Sequence, residues 1–549
     1  MSEDFPVVWE DPGDVELSWE WAEEASPAVF PPLSADAVRV FYEGFNERYR
    51  RTGVPFRTEC RIINGYLYSA LRPLVPAGEL PTAQARAWEM RRAETRKVLR
   101  FWHETALPKV LDICAWLRNA PLETVPLADL AKIWNELWSR LPELGTLHAA
   151  ITTGAFDALT ELSDLYQSLV EDAPPSGGLK LVQGLPHELH TVQRDLYLLA
   201  ERARASAPVA EAIIRDPRRA IGELPALEAG GEFSAALRSF LETHGHLGHD
   251  DLTAPSWSDD PSVVFDEIRK RLLSEPEDPD AHRLRLAVEA EVLADQVRTH
   301  LTSRPGAAQR FEEALSLARD VAPLTQTHNY WLDRMGHSHL HRFMMRLARR
   351  LVDAGVFDDV RDVFFLHRPE VTAVLETPCD LRPMVRERRH AHQLWASIRP
   401  PRFLGRRPEP LSLGESVTLV QSPVQILRGV PASPGVVQGP ARVVLGPEDF
   451  CRVQRGDILV TATSHPSWVP LFGLIRGMVT NAGGVLSHSA VLAREFGVPA
   501  VVGAEGATQR IHNGQLIEVD GNSGEVHLGA PIVGHLSAAP TSTEERAPL

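Results

Sequence analysis

The stretch GMVTNAGGVLSHSAVLAREFGVPAVVG (477–503) constrains this chain more than any other. A β-prone run, GMVTN, enters a Gly-Gly turn; a helix-forming run opens at Ser487-His488; a second β-prone run, PAVVG, follows. Gly483 and Gly484 have no side chains to keep a ligand away from the backbone. The start of a helix offers unpaired N–H groups and the positive end of its dipole, an environment that suits an anion. Neutral imidazole is a good nucleophile near pH 7, since its unperturbed pKa is about 6.5. A histidine at that point can carry a phosphoryl group covalently. The alternative is a histidine that only caps the helix or lies on the surface.

Bulk properties exclude several classes. The 549 residues suffice for two to four domains, and the contents of 44% hydrophobic and 24% charged residues are ordinary for a globular protein. A net charge of −16 argues against a nucleic-acid-binding surface. No apolar run reaches the roughly 18 residues of a membrane span. The N-terminus, MSEDFPVVWEDPGDVE, lacks the basic and apolar regions of a secretory signal, so a cytoplasmic location is expected. Cys60, Cys114, Cys379 and Cys451 form no CxxC pair and are expected to be reduced.

The organisation follows from a change of periodicity. Residues 1–34 read as an N-terminal arm, extended or in short helices. From 35 to 398 apolar residues recur at three- and four-residue spacing, the pattern of one large helical domain or two packed subdomains. Residues 399–424 begin RPPRFLGRRPEP and read as a linker. Short β-prone runs broken by Gly and Pro then predict a small α/β swivelling domain over 425–530, followed by a flexible tail, 531–549. The predicted fold class is therefore multidomain, mainly α-helical with a smaller α/β domain after it.

The 480–503 stretch resembles the phosphohistidine mobile domain of phosphoenolpyruvate-utilising enzymes. The shared positions are Thr480, Gly483, Gly484, Ser487, His488, Ala490, Ala493, Arg494, Glu495, Gly497, Pro499, Ala500, Val501 and Gly503. The resemblance implies that His488 is the phosphorylated residue, with Thr480, Gly483, Gly484, Ser487 and Arg494 around the phosphate. TATSHPSWVPLF (461–472) resembles the segment that precedes the phosphohistidine, with Thr463, Pro466 and Trp468 near His488 and with His465 not a second carrier. The remainder of the chain resembles the acceptor-binding part of rifampin phosphotransferase-like members of that family.

The expected acceptor site lies in QTHNYWLDRMGHSHLHRFMMRLARRL (326–351), similar to an H-x-Y-W run and Arg-rich helix of those proteins. Arg342, Arg346 and Arg349 share one helix face, which either is solvated or holds phosphate bidentately. The resemblance makes His328 the candidate base, Arg342 and Arg346 the phosphoryl-holding groups, and Tyr330 and Trp331 acceptor-binding residues. Of His337, His339 and His341 only the first and last share a helical face, and no metal site is assigned to the chain. THGHLGHDDLTAPSWSDDP (243–261) resembles a family loop, but has Asp250 where Glu is common and Ser256 where Arg precedes the Trp. Its His244, His246, His249, Asp250 and Asp251 read either as a metal or acid/base cluster or as a structural loop held by Trp257; His249 is taken as an acceptor-binding candidate. Tyr66 and Tyr68 of RIINGYLY (61–68) read as acceptor-pocket or core aromatics.

No Walker A pattern and no ATP-grasp-like region is found in the chain. The expectation is an acceptor-binding, phosphohistidine-carrying component of an ATP-dependent phosphotransferase. ATP and Mg²⁺ would bind a separate ATP-grasp subunit, and the acceptor would be a small, partly apolar hydroxylated molecule that is phosphorylated and inactivated or dehydrated. The alternative is a non-catalytic phosphocarrier or regulatory binding protein.

Overall fold

The computed structural model describes residues 5–529 except 24–25, 172, 174–176, 249–251, 274–277, 407–424 and 465–467. His249, His465, Pro466, most of the expected linker and the tail lie outside the described residues.

Helix Leu127–Leu169 is the axis of the mainly helical region. Its residues Leu130, Trp134, Leu137, Trp138, Leu141 and Leu144 recur at helical spacing, and all are buried in one core with the helix Met335–Asp353. Helix Pro32–Arg51 crosses it so closely that glycine is required on both sides of the contact. A Cβ on Gly145 would lie 2.0 Å from the Phe41 carbonyl oxygen, and one on Gly44 would lie 2.2 Å from that of Pro142. Thr146 Oγ1 donates to the Gly44 carbonyl across the same crossing, at 3.2 Å.

The first and last parts of this region meet in a four-stranded sheet, ordered Phe56–Ile63, Tyr66–Pro73, Ser18–Trp21, Phe403–Gly405. The hairpin turns at Asn64-Gly65, where both φ angles are positive, 52° and 83°. An Asn-Gly pair between alternating apolar residues is a strong hairpin signal. Helical periodicity on either side had masked it. The N-terminal arm thus contributes a short 3₁₀ turn (Pro12–Glu16) and a strand, and Phe403–Gly405 pairs with that strand from within the expected linker.

The C-terminal part is an eight-stranded sheet, ordered Gln425–Arg428, Glu525–Leu528, Leu516–Asp520, Val436–Val443, Ile458–Thr461, Gly477–Thr480, Ala500–Val502, Val430–Ser433. The four strands Val436–Val443, Ile458–Thr461, Gly477–Thr480 and Ala500–Val502 run parallel. Three of these are buried along their whole length, as central parallel strands covered on both faces must be. Alternation divides the apolar residues between two cores. Ile458, Val460, Val479 and Val501 enter the domain's own core. Leu459, Met478, Ala500 and Val502 face the helix His488–Glu495, in a core that continues into the helices carrying Leu189, Leu196, Phe240 and Phe265. The α/β domain is therefore seated on the helical region.

Gly145→Ala is expected to cost about 1–3 kcal/mol through overpacking at the helix crossing. A thermal melt reads this directly, and an unchanged midpoint would show that the two helices can separate without penalty.

Candidate functional site

His488 opens the helix His488–Glu495, with Ser487 as its N-cap. The Ala490 N–H donates to Ser487 Oγ at 3.3 Å. Gly483 has φ 118°, and a Cβ there would press on Ser487 Oγ at 2.8 Å, so the turn before the helix requires glycine at this position. Ser464 is fixed beside the helix start, its N–H and hydroxyl each 2.9 Å from Ser489 Oγ. Of the other residues expected around the phosphate, Gly484 is exposed. Thr480 Oγ1 donates to the Ala482 carbonyl, and Arg494 donates to the Ala432 carbonyl at 2.8 Å. Thr480 and Arg494 brace the turn and the helix from inside the domain.

His488 faces a cavity of about 990 Å³ between the α/β domain and the helical region. On the helical side its polar end is formed by His148, Asp333, Arg334 and His337, with Asn329 beside them. Phe41, Phe45, Leu141, Leu144, Leu252 and Leu340 form an apolar wall. Glu23, Arg402 and Glu505 stand on a further side, where Arg402 bonds Glu505 of the α/β domain at 3.0 Å. His488 Nε2 is buried and makes no hydrogen bond to any described residue. Burial, reinforced by the Arg334 guanidinium and by His328, pushes the His488 imidazole down to about 3. The ring is thus neutral at pH 7, the state in which it is a nucleophile.

The polar end is built by an irregular turn. Residues Asn329–Arg334 form a π-helical turn between Leu324–His328 and Met335–Asp353. It directs Asp333, Arg334 and His337 to the cavity. Burial lowers the Arg334 guanidinium to about 9 and His337 to about 4. His337 Nδ1 is buried and forms no hydrogen bond to a described residue. Asp333 Oδ1 lies 2.9 Å from His148 Nδ1. His328 stands next to the two, its ring edge-on to that of His148 with centroids 4.8 Å apart. His148, His328 and Asp333 each offer one metal-ligand atom, all within 4.8 Å of one another, where the sequence had suggested no metal site.

Other expected residues sit elsewhere. Arg342 is engaged by Asp259 and Ser256, at 3.0 Å each, and so fastens the 243–261 loop to the helix. Arg346 bonds both oxygens of Glu123, at 2.6 and 2.7 Å, together with the Arg118 and Ala120 carbonyls. Neither arginine lines the cavity. Tyr66 and Tyr68 point to the opposite face of their strand and donate to the Ile398 and Pro401 carbonyls, whereas Leu67 and Ser69 line the cavity. Tyr330 is buried with its hydroxyl 2.8 Å from His244 Nδ1, and Trp331 Nε1 donates to Glu188 at 2.8 Å. His148, Asp333 and Arg334 were missed: the first carries no local motif, and the other two fall off the helical face that a 3.6-residue period defines.

Two parts of the chain match known families. Residues 453–524 match "PEP-utilising enzyme, mobile domain", and residues 148–325 match "Rifampicin phosphotransferase fourth domain". The chain therefore carries the mobile domain of phosphoenolpyruvate-utilising enzymes and is similar to rifampicin phosphotransferases in the region before it. Among its relatives, chondramide synthase cmdD of Chondromyces crocatus is 31% identical over 560 residues, covering 96% of this chain and 14% of the relative. Rifampicin phosphotransferase of Streptomyces sviceus is 33% identical over 323 residues, covering 56% of this chain and 36% of the enzyme. The Bacillus subtilis enzyme of the same name is 30% identical over 363 residues, covering 63% and 41%. The chain thus spans well under half the length of each of these relatives. Among the described residues no helix is long and apolar enough to cross a membrane.

The buried imidazoles predict acid sensitivity. Burial sets His190, His328, His337 and His488 at about 2, 4, 4 and 3, below their unfolded value of about 6.5. The unfolded chain takes up these protons first, so stability is complete above roughly pH 6.5 and declines as pH falls towards the folded values. The urea midpoint is expected to be lower at pH 5 than at pH 7. Equal midpoints would mean that these rings protonate in the folded protein.

Proposed function

We propose that this chain is the acceptor-binding and phosphohistidine-carrying component of a phosphotransferase, relaying a phosphoryl group through His488 to a hydroxyl of a small molecule. The observation that carries this reading is a neutral imidazole whose Nε2 is buried and unbonded, at the start of a helix and facing a cavity that Arg334 lines. In this reading the donor is a separate ATP-grasp protein that binds ATP and Mg²⁺ and supplies the phosphoryl group. His488 Nε2 forms the P–N bond while the α/β domain faces that donor, as a P–O bond of the ATP phosphate chain breaks and its electron pair stays with the departing oxygen.

With the domain seated as observed, the acceptor oxygen attacks phosphorus. The P–O bond forms as the P–N bond breaks, and the electron pair returns to Nε2. Arg334 balances the charge on the phosphoryl oxygens, and the hydroxyl proton passes to the neutral His337 ring. A cavity of about 990 Å³ lies at the upper end of the roughly 300–1,000 Å³ that suits drug-sized ligands. Its aromatic and leucine wall favours a partly apolar acceptor, and relatives named rifampicin phosphotransferase support a small-molecule acceptor over a macromolecular one.

The intact mass of the purified chain, incubated with Mg²⁺-ATP and cell extract, is expected to rise by one phosphoryl group in the wild type and not in His488→Ala. An equal gain in both would overturn the relay. Arg334→Ala is expected to slow discharge of the phosphorylated chain to a small-molecule extract by about 10²–10³-fold. Arg342→Ala, which removes a group held by Asp259, is expected to leave discharge within about tenfold. The reverse ranking would return the phosphoryl-holding role to Arg342.

A further inference from the structure

His328 and Asp333 are five residues apart, a spacing that places two side chains on different faces of an α-helix. The π-turn Asn329–Arg334 changes that geometry and brings both to His148 on the helix Leu127–Leu169. Such turns are rare and are frequent at functional sites.

Hydrogen bonding within the cluster does not account for its arrangement. His328 Nδ1 bonds the Leu324 carbonyl, which can only accept, so Nδ1 carries the ring proton. In the neutral ring the other nitrogen, Nε2, is then the one able to bind a metal ion. That nitrogen lies 3.7 Å from Asp333 Oδ2. At that distance the two atoms make no hydrogen bond, and with His148 they offer three metal-ligand atoms within 4.8 Å of one another. A cation between them gives each a partner. Metal–nitrogen and metal–oxygen bonds of about 2.0–2.2 Å bridge a gap of that width. An imidazole whose other nitrogen donates to a backbone carbonyl is also oriented as metal-binding histidines are.

We propose that His148, His328 and Asp333 form a site for one divalent first-row transition metal ion beside the cavity. Two imidazoles and a carboxylate suit ions such as Zn²⁺ and Mn²⁺. The ion takes the place of the proton between His148 Nδ1 and Asp333 Oδ1, now 2.9 Å apart, and the ring carries that proton on Nε2 instead. Three protein ligands leave coordination positions open. Since His148 and Asp333 line the cavity, those positions are available to an oxygen of a molecule bound there. This site goes beyond the phosphoryl relay, and its existence does not depend on phosphorylation of His488.

The test needs neither donor nor acceptor. The full chain is stripped with chelator, incubated with Zn²⁺ or Mn²⁺, desalted and analysed for metal, with an expected content of about one ion per chain. Cobalt loading is expected to give visible d–d absorption bands. Asp333→Asn and His328→Gln are expected to weaken binding by more than the roughly tenfold to hundredfold cost of losing an outer-shell partner. His103→Ala, at an exposed position, is expected to bind as the wild type does. Circular dichroism reports whether each variant folds; if neither does, the wild-type stoichiometry and cobalt spectrum decide. A wild type that retains no ion and shows no cobalt bands overturns the site, as do folded variants that retain a full equivalent. The mass of phosphorylated His488 is read separately, so failure of the metal site and failure of the relay are distinguishable.

Discussion

The seating of the α/β domain on the helices is the contact on which the site depends. Its apolar part is a core shared by the two, with Leu459, Phe472 and Met478 on one side and Leu189, Leu196 and Phe265 on the other. Its polar part is directed at a helix end. Gln183 Nε2 donates to the Arg494 carbonyl at 2.7 Å, and His282 Nε2 meets the Phe496 carbonyl at 2.9 Å. The last carbonyls of a helix have no partner within it, so the helical region completes the end of the very helix that His488 begins. Gln193 does the same for the short Val469–Phe472 helix by donating to the Val469 carbonyl, and its own oxygen is held by the buried Arg271. Separation of the domains would return these groups to water, which replaces the hydrogen bonds but not the shared apolar core.

The electrostatics of the site are a consequence of that seating. Arg334 and His328 belong to the helical region, yet both act on the His488 ring. A histidine at a free helix start would titrate near its ordinary value. Docked against a buried guanidinium and out of water, it stays neutral well below pH 7. The same docking closes the cavity with residues from both sides, including the Arg402–Glu505 bond and the 3.3 Å contact of Asn481 with Glu23. The proposed phosphohistidine, the guanidinium beside it and the cavity are thus brought together by one interface.

Much of this was legible in the chain, and the limits have identifiable causes. Helical periodicity over 35–398 locates the buried faces of the long helices, because a 3.6-residue repeat is a local property. The Gly483–His488 turn is equally local, since its positive φ and its capped helix start are encoded within a few residues. Tyr66 and Tyr68 illustrate where such reading stops. A strand alternates, so the choice between Tyr66 and Leu67 as cavity residues is a choice of parity, fixed only by which face meets the helices. Arg342 and Arg346 share a helix face as expected, but which partner that face meets is decided by Asp259 and Glu123, distant in sequence.

The sequence by itself determined a phosphohistidine-type turn in an α/β domain and a helical region before it, because dihedral preference, periodicity and capping act over a few residues. The tertiary structure alone decided that Arg334, Asp333 and His148 stand by His488. One π-turn shifts the helical register by a residue, and His148 comes from a helix nearly two hundred positions away, information that no local pattern carries.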